Sequence, residues 1–145
     1  MSDLVKFLRA RLDESEAVAV AAIGQDWHVS VTPIDVPGIP GHQAVGIETM
    51  PDWEIIECNQ GSLAERQAVA EHIARHSPAR VVEDIEAKRA IISECEEALT
   101  ADQNRMQGYE IHQNDGAREI ARTVLVTLAG LFWAHPDYDP TWAVR

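Results

Sequence analysis

Apolar positions in this chain recur at helical spacing in some stretches and alternate in others. Over residues 2–23, Leu4, Val5, Leu8, Leu12, Ala19 and Ile23 fall on one stripe, which predicts an amphipathic helix. Ser2 or Asp3 is its cap and Gly24 its stop. The pattern then changes. Pro33, Pro37, Pro40 and Pro51 exclude a helix over residues 27–60. The pieces WHVSV (27–31), AVGIET (44–49) and WEIIEC (53–58) alternate and are rich in branched residues. They predict a small antiparallel sheet of two or three strands, with PIDVPGIPG (33–41) as turn. So small a sheet has to pack on a helix.

A second helix is expected at 62–76, where Ser62 followed by Glu65 has the form of a capping box. Ser77-Pro78 then begins a third helix, 78–100, with Val81, Ile85, Ile92, Cys95 and Leu99 as its stripe and Lys88 inside it. The polar run ADQNRMQGYEIHQNDG (101–116) reads as a loop. A last helix follows at 117–134, its face made of Ile120, Val124, Leu128 and Leu131 and widened by Leu125 and Phe132. Val126 and Trp133 point away from that face, so the helix is two-sided. Pro136 and Pro140 break the tail 135–145, whose Tyr138 and Trp142 are expected to fold back on the core. The prediction is one α+β domain over 1–145: four helices packed with a two- or three-stranded antiparallel sheet, the second and third helices cornering at His76-Ser77-Pro78.

Charge adds a second layer. The chain carries 24 acidic residues against 12 lysines and arginines, a formal net charge of -12. No lysine or arginine lies between Arg11 and Arg66, a gap that holds Asp35, Glu48, Asp52, Glu54 and Glu57 among its acids. Such a surface repels phosphate, which argues against direct nucleic-acid binding. It attracts a basic protein partner, or simply confers solubility. Trp53, in MPDWEIIE, is the tryptophan placed to anchor an interface beside these acids. The opening MSDLVKFLRARLDESE is mixed in charge, unlike a secretory leader. The longest apolar run, TVLVTLAGLFWA (123–134), is short for a membrane span. A cytoplasmic location without membrane contact is therefore expected, and Cys58 and Cys95 are expected as reduced thiols.

Little in the chain reads as catalytic machinery. It has no G-x-S-x-G, no P-loop and no G-x-G-x-x-G. The carboxylates at 83, 84 and 86 and at 94, 96 and 97 have the spacing of solvated helix faces. His72 and His76 stand four apart, so a helix presents both on one side, as helices do when they hold metals. A closed zinc site needs two further ligands, and Cys95, Cys58, His112 and His135 are the available candidates, none at a tight spacing to the pair. The residues between them, Ile-Ala-Arg, lack the glutamate of HExxH. Otherwise His76 simply ends the second helix, where a cation suits the dipole.

The segments LVKFLRARLDESEAVA, WHV, AEHIARHSPARVVEDIEAKRAII and AHPDYDPTW, in that order, resemble a family of small proteins from actinobacteria and their phages designated a domain of unknown function. The block Glu71–Arg89 is the most specific part. Gln25-Asp26 stands where the family carries Gly-Pro before the tryptophan. The resemblance implies a phage or prophage origin and a host bacterial cytoplasm, and supplies no catalytic residue or cofactor. The expectation is a non-enzymatic accessory protein that binds and modulates a host protein through Asp35, Glu48, Asp52, Trp53, Glu54 and Glu57. The alternatives are a zinc module or small metal-dependent enzyme using His72 and His76, and a self-assembling homo-oligomer built on the two-sided last helix.

Overall fold

The computed structural model describes residues 1–22, 26–34, 41–49, 53–58, 60–100 and 108–143, the side chains of 53, 54 and 108–114 aside. The element order is α1 (Ser2–Ala21), β1 (Trp27–Pro33), β2 (Gln43–Thr49), β3 (Trp53–Glu57), α2 (Leu63–Ala74), α3 (Pro78–Thr100) and α4 (Gly108–Gly130), followed by a short 3₁₀ turn at Pro140–Trp142. This is the predicted α+β class, four helices with a three-stranded antiparallel sheet in the order β1-β2-β3. The chain forms two compact units: Glu16–Asp84, and Met1–Ser15 with Ile85–Arg145. Helices α1 and α3 each run from one unit into the other.

In the unit Glu16–Asp84, the pleat sorts side chains to two faces. Val45 and Ile47 of β2 are buried with Cys58 and with Ala70 of α2, and Trp27, Val29, Ile55, Leu63 and Ile73 close around them. Strand β1 pairs with β2 from Trp27↔Thr49 to Pro33↔Gln43. Strand β3 pairs from Gly46↔Glu57 to Thr49↔Trp53, with a register shift at Ile47/Glu48. The shift leaves Ile55 as the extra residue of a bulge, which turns it inward and leaves Ile56 half-exposed. Arg66 of α2 donates to the Gln43 carbonyl at 2.9 Å, tying the helix to the start of β2.

The start of α2 is the predicted capping box. Glu65 N–H donates to Ser62 Oγ at 3.4 Å, and Ser62 N–H donates to Glu65 Oε2 at 2.8 Å. Those bonds, the backbone one first and the Ser62 hydroxyl next, hold the Glu65 carboxyl below the usual carboxylate range. Gly61 precedes the box at φ 90°. A Cβ there would stand 2.9 Å from Glu65 Oε2, so both the backbone and the cap require glycine.

In the other unit, the α1 stripe buries Leu4, Val5, Leu8 and Leu12 as predicted, and Phe7 and Arg11 with them. Ile23 and Gly24 lie outside the described residues. Rather than Ser2 or Asp3 standing outside as caps, both are helical, and Val5 N–H reaches the Met1 carbonyl at 3.1 Å. Arg9 meets Glu96 and Arg89 meets Asp13, each at 2.5 Å, so α1 and α3 run antiparallel here. From α3, Ile85, Ile92 and Cys95 are buried on the predicted stripe.

Helix α4 differs from expectation at both ends and in its face. It begins at Gly108, inside the predicted loop, while 101–107 lie outside the described residues. The polar run holds no proline, and extending a formed helix costs little even where no apolar residue marks a face. The α-helix ends at Gly130. Beyond it, Leu131, Phe132 and Trp133 N–H groups bond three residues back, to Leu128, Ala129 and Gly130, which tightens the chain before Pro136. The buried line is Ala121, Leu125 and Ala129. Ile120 and Leu131, expected to face the core, are 67% and 62% exposed. The two stripes lie one residue, about 100°, apart, and both contain apolar residues.

The tail does fold back. Phe7 is ringed by Trp142 at 5.1 Å, Tyr138 at 6.1 Å and Phe132 at 6.2 Å between centroids. Arg11 lies 5.3 Å from the Phe7 ring and pairs with Glu14 at 2.6 Å and Asp137 at 3.5 Å. Its guanidinium also meets the ring of His135. No helix among the described residues is long and apolar enough to cross a membrane.

Candidate interaction site

Three of the acids singled out in the sequence come from neighbouring strands. Glu48 of β2 is the register partner of Glu54 in β3, and Gly46 is the partner of Glu57. Alternation along β2 turns Val45, Ile47 and Thr49 inward, all buried, and leaves Glu48 partly exposed on the opposite face. Glu57 is exposed. On β1 the register partner of Glu48 is His28, whose Nε2 lies 3.8 Å from the Glu48 carboxylate. The sheet itself carries no lysine or arginine, so opposite charge comes only from a protonated His28 or from outside. Asp35, Asp52 and the side chains of Trp53 and Glu54 lie outside the described residues. Among the other tryptophans, Trp27 packs into the sheet core and Trp142 against Phe7, while Trp133 is 74% exposed. Trp133 follows a glycine-ended helix and lies off the core-facing stripe, as the spacing of the last helix predicts.

Pairing elsewhere follows ordinary surface chemistry. Glu83 is bound by Arg80 at 2.9 Å and Glu71 by Arg75 at 3.6 Å. Glu83, with exposed Asp84, Glu86, Glu94 and Glu97, lies on the solvated faces that the spacing predicts, whereas Glu96 is half-buried and pairs with Arg9 of α1.

The second arrangement is the corner between α2 and α3. Helix α2 ends at Ala74; the N–H groups of His76 and Ser77 bond three residues back, to Ile73 and Ala74. His76 Nδ1 lies 2.8 Å from the His72 carbonyl oxygen, so the ring nitrogen donates and satisfies a carbonyl freed by the helix end. The two imidazoles are side by side, with centroids 4.9 Å apart and planes at 55°. Both residues are exposed. No third histidine, cysteine or carboxylate joins them among the described residues. Cys95, one of the further ligands considered from sequence, is buried on the α3 stripe. Burial first, and Glu94 second, push its thiol pKa up, away from the thiolate a metal would need. Ser77-Pro78 begins α3 as predicted, the Ser77 carbonyl accepting Val81 N–H at 3.0 Å, while the buried Ser77 Oγ has no hydrogen-bond partner.

The cluster that sequence reasoning passed over is Phe7–Arg11–His135–Asp137. Its signal was present: Phe7 and Arg11 extend the Leu4–Leu8 stripe at spacings of three and four. An arginine on such a stripe reads as solvent-facing until a carboxylate arrives from far along the chain.

The fold defines a small α+β protein with a three-stranded sheet backed by one helix and a tail locked onto the first helix. The chain matches a family of unknown function, DUF6221, over residues 1–144, and it belongs to that family. Neither the curated proteins nor the solved structures contain a match to it.

Proposed function

We propose that this protein is a non-enzymatic accessory protein of a phage or prophage that works in the cytoplasm of an actinobacterial host. It binds and modulates a basic host protein through the acidic face of its sheet. The observation that carries this reading is the register of β2 and β3, which sets Glu48 against Glu54 and Glu57 beside Gly46 in a sheet without lysine or arginine. Acidic residues paired across adjacent strands disfavour one another, and a basic partner relieves that repulsion. Charge of this kind speeds encounter and makes binding fall with salt.

The test is affinity capture from an actinobacterial lysate at low and high salt, using the natural chain and the E48Q/E54Q/E57Q variant. A basic host protein retained at low salt, and lost both at high salt and with the variant, supports the reading. Capture unchanged by the variant overturns it.

A second reading is self-assembly through α4, favoured by the exposure of Ile120, Leu131 and Trp133. Mass measurement in solution decides it: a concentration-dependent oligomer that dissociates in I120E supports it, and a monomer at all concentrations ends it.

A further inference from the structure

We propose that His72 and His76 form a two-nitrogen site for a divalent transition-metal ion, with Zn²⁺ as its probe. Three observations converge on this. The rings are already adjacent, 4.9 Å between centroids with planes at 55°, which puts two imidazoles within reach of one ion. Both residues are exposed, so an ion reaches them directly from solvent. His76 is also set in a defined tautomer. Its Nδ1 donates to the His72 carbonyl at 2.8 Å, so in the neutral ring Nε2 carries the lone pair. Protein histidines that ligate metals are oriented in this way, by donating the other ring nitrogen to a carbonyl or carboxylate.

The local charges do not compete for the role. Glu71, next to His72 in sequence, is held by Arg75 at 3.6 Å. With no third ligating group among the described residues, the remaining coordination positions are left to water. The site is therefore open, unlike the closed four-ligand sites that hold structural zinc. The formal net charge of -12 raises the concentration of cations near the surface.

The two-imidazole chemistry also separates this from the HExxH arrangement. Nothing between the histidines offers a base, and no bond-breaking step is assigned to the ion. What the corner can do is capture a metal and stiffen the end of α2, because an ion bridging residues 72 and 76 ties the last turn of the helix to the turn that follows it.

The experiment is a calorimetric titration of the full chain, first stripped with chelator, with Zn²⁺ at neutral pH. Alongside it run H72A, H76A and the double variant, with circular dichroism of the metal-free forms as the control for folding. The natural chain is expected to show one saturable site, weakened by roughly tenfold or more in each single variant and lost in the double variant. Zn²⁺ is also expected to raise the melting temperature of the natural chain and not that of H72A. Should the double variant bind as the natural chain does, or the natural chain show no saturable binding, the proposal is overturned. If H76A alone melts lower without metal, that reports the helix-end bond, and H72A, which keeps its backbone carbonyl, carries the test.

Discussion

Arg11 in the first helix and Asp137 in the tail form an ion pair at 3.5 Å, with the guanidinium side chain almost wholly buried and the carboxylate largely exposed. The arginine lies over Phe7 and Phe7 lies against Trp142, so one α1 face fastens the C-terminal turn. The Phe7→Ala variant is expected to lose about 3–5 kcal/mol, the range for removing a buried aromatic. Because its partners Glu14 and Asp137 remain hydrated, Arg11→Ala is expected to cost less, about 1–2 kcal/mol, mostly as lost packing. Denaturant unfolding of both variants checks the order.

The two apolar lines of α4 separate cleanly by substitution. Leu125 is fully buried, and Leu125→Ala is expected to destabilise by about 2–5 kcal/mol. Ile120, five residues earlier on the neighbouring line, is exposed, and Ile120→Ala is expected to stay within about 0.5 kcal/mol. Equal losses would mean that the helix is rotated from the orientation described.

At the start of α2, Ser62→Ala is expected to cost about 1 kcal/mol through the lost cap. Gly61→Ala is expected to cost about 1–2 kcal/mol, because φ 90° is the left-handed region and the new methyl group meets Glu65. Thermal melts of the two variants are the check.

Glu65 carries a pH dependence whose sign is set by its lowered pKa. A carboxylate depressed in the folded state contributes stability above its ordinary pKa, and that contribution is lost as pH falls through the depressed value. Acidification below the usual carboxylate range should therefore narrow the stability gap between the natural chain and Glu65→Gln. A gap that stays constant over that interval would show that the carboxylate is not engaged with Ser62.

The raised pKa of Cys95 predicts slow chemistry. At neutral pH its buried thiol stays protonated, and alkylation by iodoacetamide should be much slower in the folded protein than in denaturant. Peptide mapping after a short exposure measures it; rapid native labelling of Cys95 would contradict its burial.

What the sequence by itself determined follows from short-range physics. The Ser62–Glu65 box, the proline restart at Pro78, the alternation in β2 and the Leu4–Leu12 stripe are all decided within a few residues of the chain, and all appear where the pattern places them. The tertiary structure alone decided which of two adjacent apolar lines on α4 is buried, that the polar residues 108–116 continue a helix, and that Arg11 faces inward. Two stripes about 100° apart both carry apolar residues, and only the neighbour that packs against the helix chooses the line of Ala121, Leu125 and Ala129 over the bulkier one. A buried arginine is likewise stable only when partners such as Asp137 arrive from across the chain. The same holds for the candidate sites. The spacing of His72 and His76 put them on one side of a helix, but their adjacent rings and the fixed tautomer of His76 depend on how α2 terminates. The acidic stretch was legible as composition; its assembly into facing positions on two strands depends on strand register, which a single bulged residue at Ile55 is enough to change.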